Sequence, residues 1–244
     1  ALVGGAGKVA DAVAATGVGK FLHVSSIAAL YLGDPATVIS HATRADSSGE
    51  SRADYARAKA EAEHMLLSRH QHEGLPVTLL RPGVVVGDGT SPFHSGVGFY
   101  NRERVCLGWN DGTNPLPFVL VEDVASAIVA ALALSAEELA GKSFNLIGDV
   151  RPTAREYTAM LAAATGRPLV YRPQFLWQQQ AGEVAKWCVK QVAGRKVPFP
   201  SMRDLRSRGM PARFDTSFEK LTLNWKPVAE RSTFVERAIA IHAR

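Results

Sequence analysis

FLHVSSIAAL (residues 21–30), ADYARAKAEAEHMLLSRHQHE (53–73) and VTLLRPGVVVGDG (77–89) together decide the fold. Phe21 to Ser26 reads as a short buried strand with a polar end. Residues 53–73, rich in Ala, Glu and Leu, predict the clearest helix of the chain, closed by Gly74. Val77-Thr78-Leu79-Leu80 predicts the next strand, broken by Arg81-Pro82-Gly83. Strand, helix and strand in alternation point to a parallel sheet.

The alternation continues outward on both sides. Residues 3–16 carry small and apolar side chains at helical spacing up to Gly17. A polar loop is expected over 33–52, and 88–116 reads as mostly irregular. Pro117 to Val121 predicts a strand leading into a helix over 122–135, and Lys142 to Ile147 another strand. From Thr153 the pattern is helix, a short strand around 169–171, then a long amphipathic helix near 174–193. There Trp177, Ala181, Val184, Cys188 and Val192 recur at helical spacing, a stripe read first as core packing. A parallel sheet with helices on both faces places functional residues beyond the carboxyl ends of strands, which directs attention to Ser26 and to the segment after Leu80.

Composition narrows the class. The chain has 244 residues, with 46% hydrophobic and 21% charged side chains, enough to bury a sizeable core and unlike a disordered sequence. Its two cysteines, Cys106 and Cys188, form no disulfide framework and no metal-ligand spacing, so no metal is expected. No apolar run approaches the roughly 18 residues that span a bilayer, and ALVGGAGKVADAVAATGVGKF lacks the layout of a secretory signal. A soluble, cytoplasmic protein is the expectation. The net charge of +5 is uneven: −5 over residues 1–150, +8 over 151–210 and +2 over 211–244. A field of that kind steers an anionic ligand or rests against acidic lipid headgroups. Nucleic acid is not expected, because the basic residues carry no recognisable reading motif.

Tyr55 and Lys59 lie four residues apart on the strongest predicted helix, on one face and one turn apart. A phenol titrates near 10 in water and is a poor base at neutral pH; a fixed ammonium nearby favours its phenolate. Lowering a phenol by roughly three units needs about 4 kcal/mol. Ser26, at a strand end, is placed to hold a substrate oxygen. The three groups suit proton exchange with a carbinol while hydride moves between its carbon and a nicotinamide.

FLHVSSIAAL, DYARAKAEAEHML, VTLLRPGVVVGDG and PFVLVEDVASAI, in that order, resemble the extended short-chain dehydrogenase/reductase family, which includes nucleotide-sugar epimerases and dehydratases. SFNLIGDVRPTAREYTAMLAAATGRPL and FDTSFEKLTLNWKPV look like its substrate-domain strand and closing motif. The resemblance implies an α/β, Rossmann-like doubly wound parallel sheet with a smaller C-terminal substrate-binding region. Residues 1–150 would form the catalytic part, including a substrate loop at 88–116, and 151–244 mainly the substrate region. It implies that Ser26 is the active-site serine, Tyr55 the acid/base, Lys59 the ribose-binding residue, and Pro82 a contact of the nicotinamide. NAD or NADP is the implied cofactor and a small molecule the substrate.

The sequence also departs from the family. Gly4-Gly5-Ala6-Gly7 has only three residues before it and is rejected as a dinucleotide-binding turn; the stretch instead resembles the helix preceding the serine strand, so an N-terminally incomplete sheet is expected. Such a sheet is expected to be poorly stable or to need a partner. Ile27 and Ala28 stand where dehydratases carry an Asp-Glu pair, which disfavours dehydration. Val84 replaces an Asn frequent in sugar-nucleotide epimerases, and Leu116 and Pro117 an Arg that grips a diphosphate. An oxidoreductase or epimerase acting on a secondary alcohol of a sugar or nucleotide-sugar is the first expectation. A steroid- or dihydroflavonol-type reductase is one alternative, a non-catalytic binding module or truncated fragment the other. His94, Asn101 and Trp109 are the substrate-wall candidates, with Tyr100, Arg102, Arg104 and Asn114 beside them. A homodimer and peripheral membrane contact through the basic 177–208 segment are open as partners.

Overall fold

The computed structural model describes residues 2–243. It opens with α1 (Leu2–Thr16), then β1 (Phe21–Val24), β2 (Val38–Ile39), α2 (Asp54–Glu73), β3 (Val77–Pro82) and β4 (Val84–Val86). β5 (Gly98–Asn101), β6 (Val105–Gly108), β7 (Phe118–Leu120), α3 (Val121–Ala133), α4 (Ala136–Leu139) and β8 (Ser143–Leu146) follow. The rest comprises α5 (Ala154–Thr165), β9 (Val170–Arg172), α6 (Leu176–Val192), α7 (Met202–Arg208), β10 (Arg213–Phe214), α8 (Ser217–Leu223) and α9 (Arg231–Ala238).

The central sheet has the order β1-β3-β8, with both pairs parallel. All six residues of β3 are buried, so each face of that strand meets a layer. Val77 and Leu79 pack with Ala6 and Ala10 of α1 and Ala62 and Leu66 of α2. Leu80 joins Ala127 and Ala131 of α3, Leu223 of α8 and Trp225 in a separate cluster. Alternation along a strand sends these two sets to opposite faces, which gives the doubly wound arrangement read from the sequence. The largest cluster takes Ile27, Val84, Phe118, Tyr157, Ala212 and Phe234, so segments on both sides of residue 150 fill one core.

The helix ends follow local chemistry. α2 stops at Gly74, whose φ of 73° is left-handed, and its N–H donates to carbonyls of the last turn. Thr153 and Glu156 form a capping box at the start of α5. Lys20 Nζ donates to the Leu132 and Leu134 carbonyls at the end of α3, at 2.6 and 2.7 Å.

Four local expectations are corrected. The 33–52 loop contains β2, which pairs in parallel with β10. The break expected at Arg81-Pro82-Gly83 comes later: β3 runs through Pro82, and the Gly83 N–H still donates to the Leu146 carbonyl of β8 at 3.1 Å. A side chain at Gly83 would land on the Pro117 carbonyl oxygen, so glycine lets the chain pass from β3 into β4, which pairs with β7. Residues 88–116 contain the β5–β6 hairpin, extended to three strands by β9. The apolar stripe of α6 is not core: Gln179 is the helix's buried residue, whereas Trp177 and Val192 are 67% and 91% exposed. No helix among the described residues is long and apolar enough to cross a membrane.

Candidate active site

Tyr55 and Lys59 occupy the first two turns of α2, and Ser26 stands just beyond the carboxyl end of β1. Ser26 keeps extended backbone geometry and caps the 3₁₀ turn Ile27–Ala29, its Oγ accepting the Ala28 N–H at 3.2 Å. Ser25 remains in sheet register, donating its N–H to the Leu80 carbonyl at 2.7 Å. Its buried Oγ has no partner among the described residues. The Lys59 ammonium donates to the Val24 carbonyl at 3.0 Å and lies 5.9 Å from the centroid of the Tyr55 ring. Burial pushes Lys59 below the ordinary lysine range, and the Glu63 carboxylate one turn on pulls it back.

Glu63 also fixes the height of α2 on the sheet. Its carboxylate accepts Arg81 Nε at 3.0 Å and a second guanidinium nitrogen at 2.6 Å, in an ion pair 1% and 0% exposed. Arg81 gives its remaining reach to the Thr43 carbonyl at 2.8 Å. Because Arg81 precedes Pro82 at the strand end, this pair ties the Tyr55–Lys59 helix to the strand carrying Pro82.

One cavity of about 800 Å³ brings together Ser26, Tyr55, Lys59, Pro82, His94 and Trp109. Tyr55 is half-exposed into it, at 53%. His94 Nδ1 accepts the Gly96 N–H at 2.9 Å, which leaves the neutral ring its proton on Nε2 as a donor. Burial pushes His94 below the usual imidazole range, so the neutral form is favoured. Trp109 is held by its Nε1–H on the Ser95 carbonyl at 2.7 Å, with the Arg208 guanidinium 5.3 Å from its ring.

Asn101 does not join them. It ends β5 at the tip of the hairpin, where its carbonyl accepts the Arg104 N–H, and it is exposed away from the cavity wall. Arg102 and Glu103, at φ 48° and 56°, make that tip. Tyr100 packs edge-on against Phe93, and Asn114 spends its amide on the Gly209 and Met210 carbonyls.

Four residues that the sequence reading missed, Arg52, Asp46, Asp204 and Arg208, hold the site in shape. Arg52 donates to the Leu30 and Ala28 carbonyls, behind Ser26, and to the Asp46 and Asp204 carboxylates. Asp204 of α7 accepts the N–H of Ala53, the N-cap residue of α2, at 2.8 Å, the bond that the acid of a capping box makes. Its other oxygen accepts Nε of Arg208, also on the cavity wall. A signal exists in hindsight: Asp204 is the lone acid between Glu183 and Asp215 in a strongly basic run. Asp204→Ala is expected to cost about 1–3 kcal/mol, through a lost cap and unpaired arginines. Asp204→Asn, which keeps an oxygen for the Ala53 N–H, should cost less. Urea denaturation of both variants checks this ordering, and equal losses would contradict the capping role.

The cavity offers polar groups for one end of a dinucleotide: the Lys59 ammonium, the Ser25 and Ser26 hydroxyls and the Tyr55 phenol, with Pro82 beside them. These fit a nicotinamide and its ribose. Gly4, Gly5 and Gly7 stand inside α1, whose Ala6 and Ala10 pack against α2, so they form no phosphate-cradling turn.

A family model described as the NAD dependent epimerase/dehydratase family matches residues 2–146. Among solved structures, a protein named gox2253 is 19% identical, with a TM-score of 0.73 over 99% of this chain and 70% of its own. UDP-glucuronic acid 4-epimerase from Bacillus cereus, in complex with UDP-glucuronic acid and NAD, is 18% identical, with a TM-score of 0.67 over 97% of this chain and 65% of its own. DesIV, a dTDP-glucose 4,6-dehydratase from Streptomyces venezuelae with NAD and TYD bound, is 19% identical, with a TM-score of 0.66 over 99% and 64%. The chain thus spans about two thirds of the length of these neighbours.

Proposed function

The chain belongs to the NAD dependent epimerase/dehydratase family, and from that membership we propose that its cavity supports NAD(P)-dependent oxidoreduction at a secondary alcohol of a sugar or nucleotide-sugar, either as net dehydrogenation or as the oxidation step of an epimerisation. The observation that carries this reading is that Ser26, Tyr55, Lys59 and Pro82 line a single cavity. The nicotinamide, when bound, supplies the hydride acceptor. Tyr55 exchanges a proton with the carbinol oxygen, and the Lys59 ammonium offsets the charge left on its phenol oxygen. Ser26 Oγ donates a hydrogen bond to the same substrate oxygen while its own lone pair receives the Ala28 N–H. Ile27 and Ala28, which follow Ser26 on the cavity wall, leave no Asp-Glu pair there for elimination, so oxidation without dehydration is the favoured outcome.

Saturation-transfer NMR on the 244-residue chain tests the cofactor assignment. NAD is expected to show stronger transfer to its nicotinamide and adjoining ribose protons than to adenine, because the polar groups named above serve that end. An adenine-dominated pattern, or none at all, would count against the reading and favour a cofactor-free binding module.

The apolar wall of Leu32, Val84, Val85 and Met210 with a neutral His94 supports a second reading, a reductase of steroid- or dihydroflavonol-type substrates. Net consumption of NADPH without an isomerised product selects it.

A further inference from the structure

α6 meets the rest of the protein with the wrong side for an ordinary amphipathic helix. At about 100° per residue, Trp177, Ala181, Val184, Cys188 and Val192 form one stripe, which a surface helix normally buries. Here a polar flank of the helix is attached instead. Gln179 donates to the Trp109 carbonyl at 2.9 Å, Gln180 to Pro200 at 3.0 Å, and Trp187 Nε1 to Val197 at 3.0 Å. The Trp187 ring also meets Phe199 edge-on, with centroids 5.4 Å apart. Of the apolar stripe, Trp177, Ala181, Cys188 and Val192 are exposed and Val184 is half-buried, and Phe175, Val189 and Phe199 stand exposed nearby.

The charge along this segment is mostly positive. Between Glu156 and Asp204 the sequence holds seven bases (Arg167, Arg172, Lys186, Lys190, Arg195, Lys196 and Arg203) against Glu183 alone, although Arg167 and Arg203 pair with Glu103 and Asp46 outside it. Glu183 is itself paired with Lys186 at 2.9 Å. Lys190, Arg195 and Lys196 are exposed around the end of the helix.

We propose that α6 and the turn after it form a peripheral docking surface for an anionic phospholipid bilayer, with the helix lying in the plane of the interface. Trp177 and the valines enter the acyl boundary, and the lysines, on the far side of the helix, reach the headgroup level through their flexible stems. Aromatic rings such as Trp177 suit that boundary because they join an apolar body to a polar edge. Charge complementarity selects the occupant: a second copy laid on the same face would oppose two basic segments, whereas acidic lipid neutralises both. With 17 residues and a polar side, α6 lies on a bilayer rather than across it.

Co-sedimentation of the 244-residue chain with vesicles tests this. Phosphatidylcholine vesicles containing one part in three phosphatidylglycerol should bind it at least ~10-fold better than phosphatidylcholine alone, and high salt should reverse the difference. The double variant Trp177→Gln/Val192→Gln should lose that binding by ~10-fold while its thermal midpoint is unchanged, both side chains being exposed. The assignment falls if wild-type chain stays in the supernatant with anionic vesicles at low salt, or if the double variant sediments as well as wild type. It falls equally if light scattering shows a dimer that the double variant dissociates without vesicle binding, which would assign the face to a second copy.

Discussion

Tyr55→Phe should lower kcat for secondary-alcohol oxidation by about 10²–10⁴-fold, the range that a positioned acid or base contributes. The change removes one oxygen from a side chain that is half-exposed, so neither the packing of α2 nor the Lys59–Val24 hydrogen bond is disturbed. KM for the alcohol should change far less than kcat, since Ser26 and the rest of the cavity wall still bind it. NADH formation with parallel melting curves measures both quantities. A variant retaining near-wild-type kcat would remove Tyr55 from the chemistry.

Glu63→Ala is expected to be the most damaging single change to stability, at about 3–5 kcal/mol. It leaves the Arg81 guanidinium buried at 1% exposure without its carboxylate, and that stranded charge dominates over the lost attraction. The midpoint of thermal unfolding should fall by on the order of 10 °C for a chain of this length. The double variant Glu63→Leu/Arg81→Met, which removes both charges, should recover much of the loss. Urea denaturation of the three proteins decides the matter; a loss below about 1 kcal/mol for Glu63→Ala would mean that the pair does not set the height of α2 on the sheet.

The strand, helix and strand around Ser26, Tyr55 and Pro82 were legible because each element obeys its own local rule: a polar strand end, a helix of strong formers closed by Gly74, and a strand buried on both faces. The β5–β6 hairpin was not legible. Gly98 and Gly108, paired with each other, bound its open end, and each sits where another group approaches closely; a Cβ on Gly108 would land on the Tyr171 ring. For α6 the periodicity was correct and the environment was not, because a hydrophobic stripe shows which side is apolar but not which side is covered.

The site divides in the same way. Ser26, Tyr55, Lys59 and Pro82 came from spacing and resemblance, and His94 and Trp109 from the polar content of one loop. Asn101 belonged to that loop but falls at the hairpin tip. The Arg52–Asp204 contact joins positions 152 apart, and no local pattern announces it. It links the turn behind Ser26 to the first turn of α2, so the relative placement of the two hydroxyls rests on a contact that only tertiary structure creates.

A crystal structure of the chain with NAD and a nucleotide-sugar tests the central claim most directly. The expected result is one carbinol oxygen within about 2.6–3.2 Å of both Tyr55 Oη and Ser26 Oγ, with Lys59 on the ribose. A sugar seated in that cavity with its hydroxyls beyond the reach of Tyr55, or bound elsewhere on the chain, would contradict it.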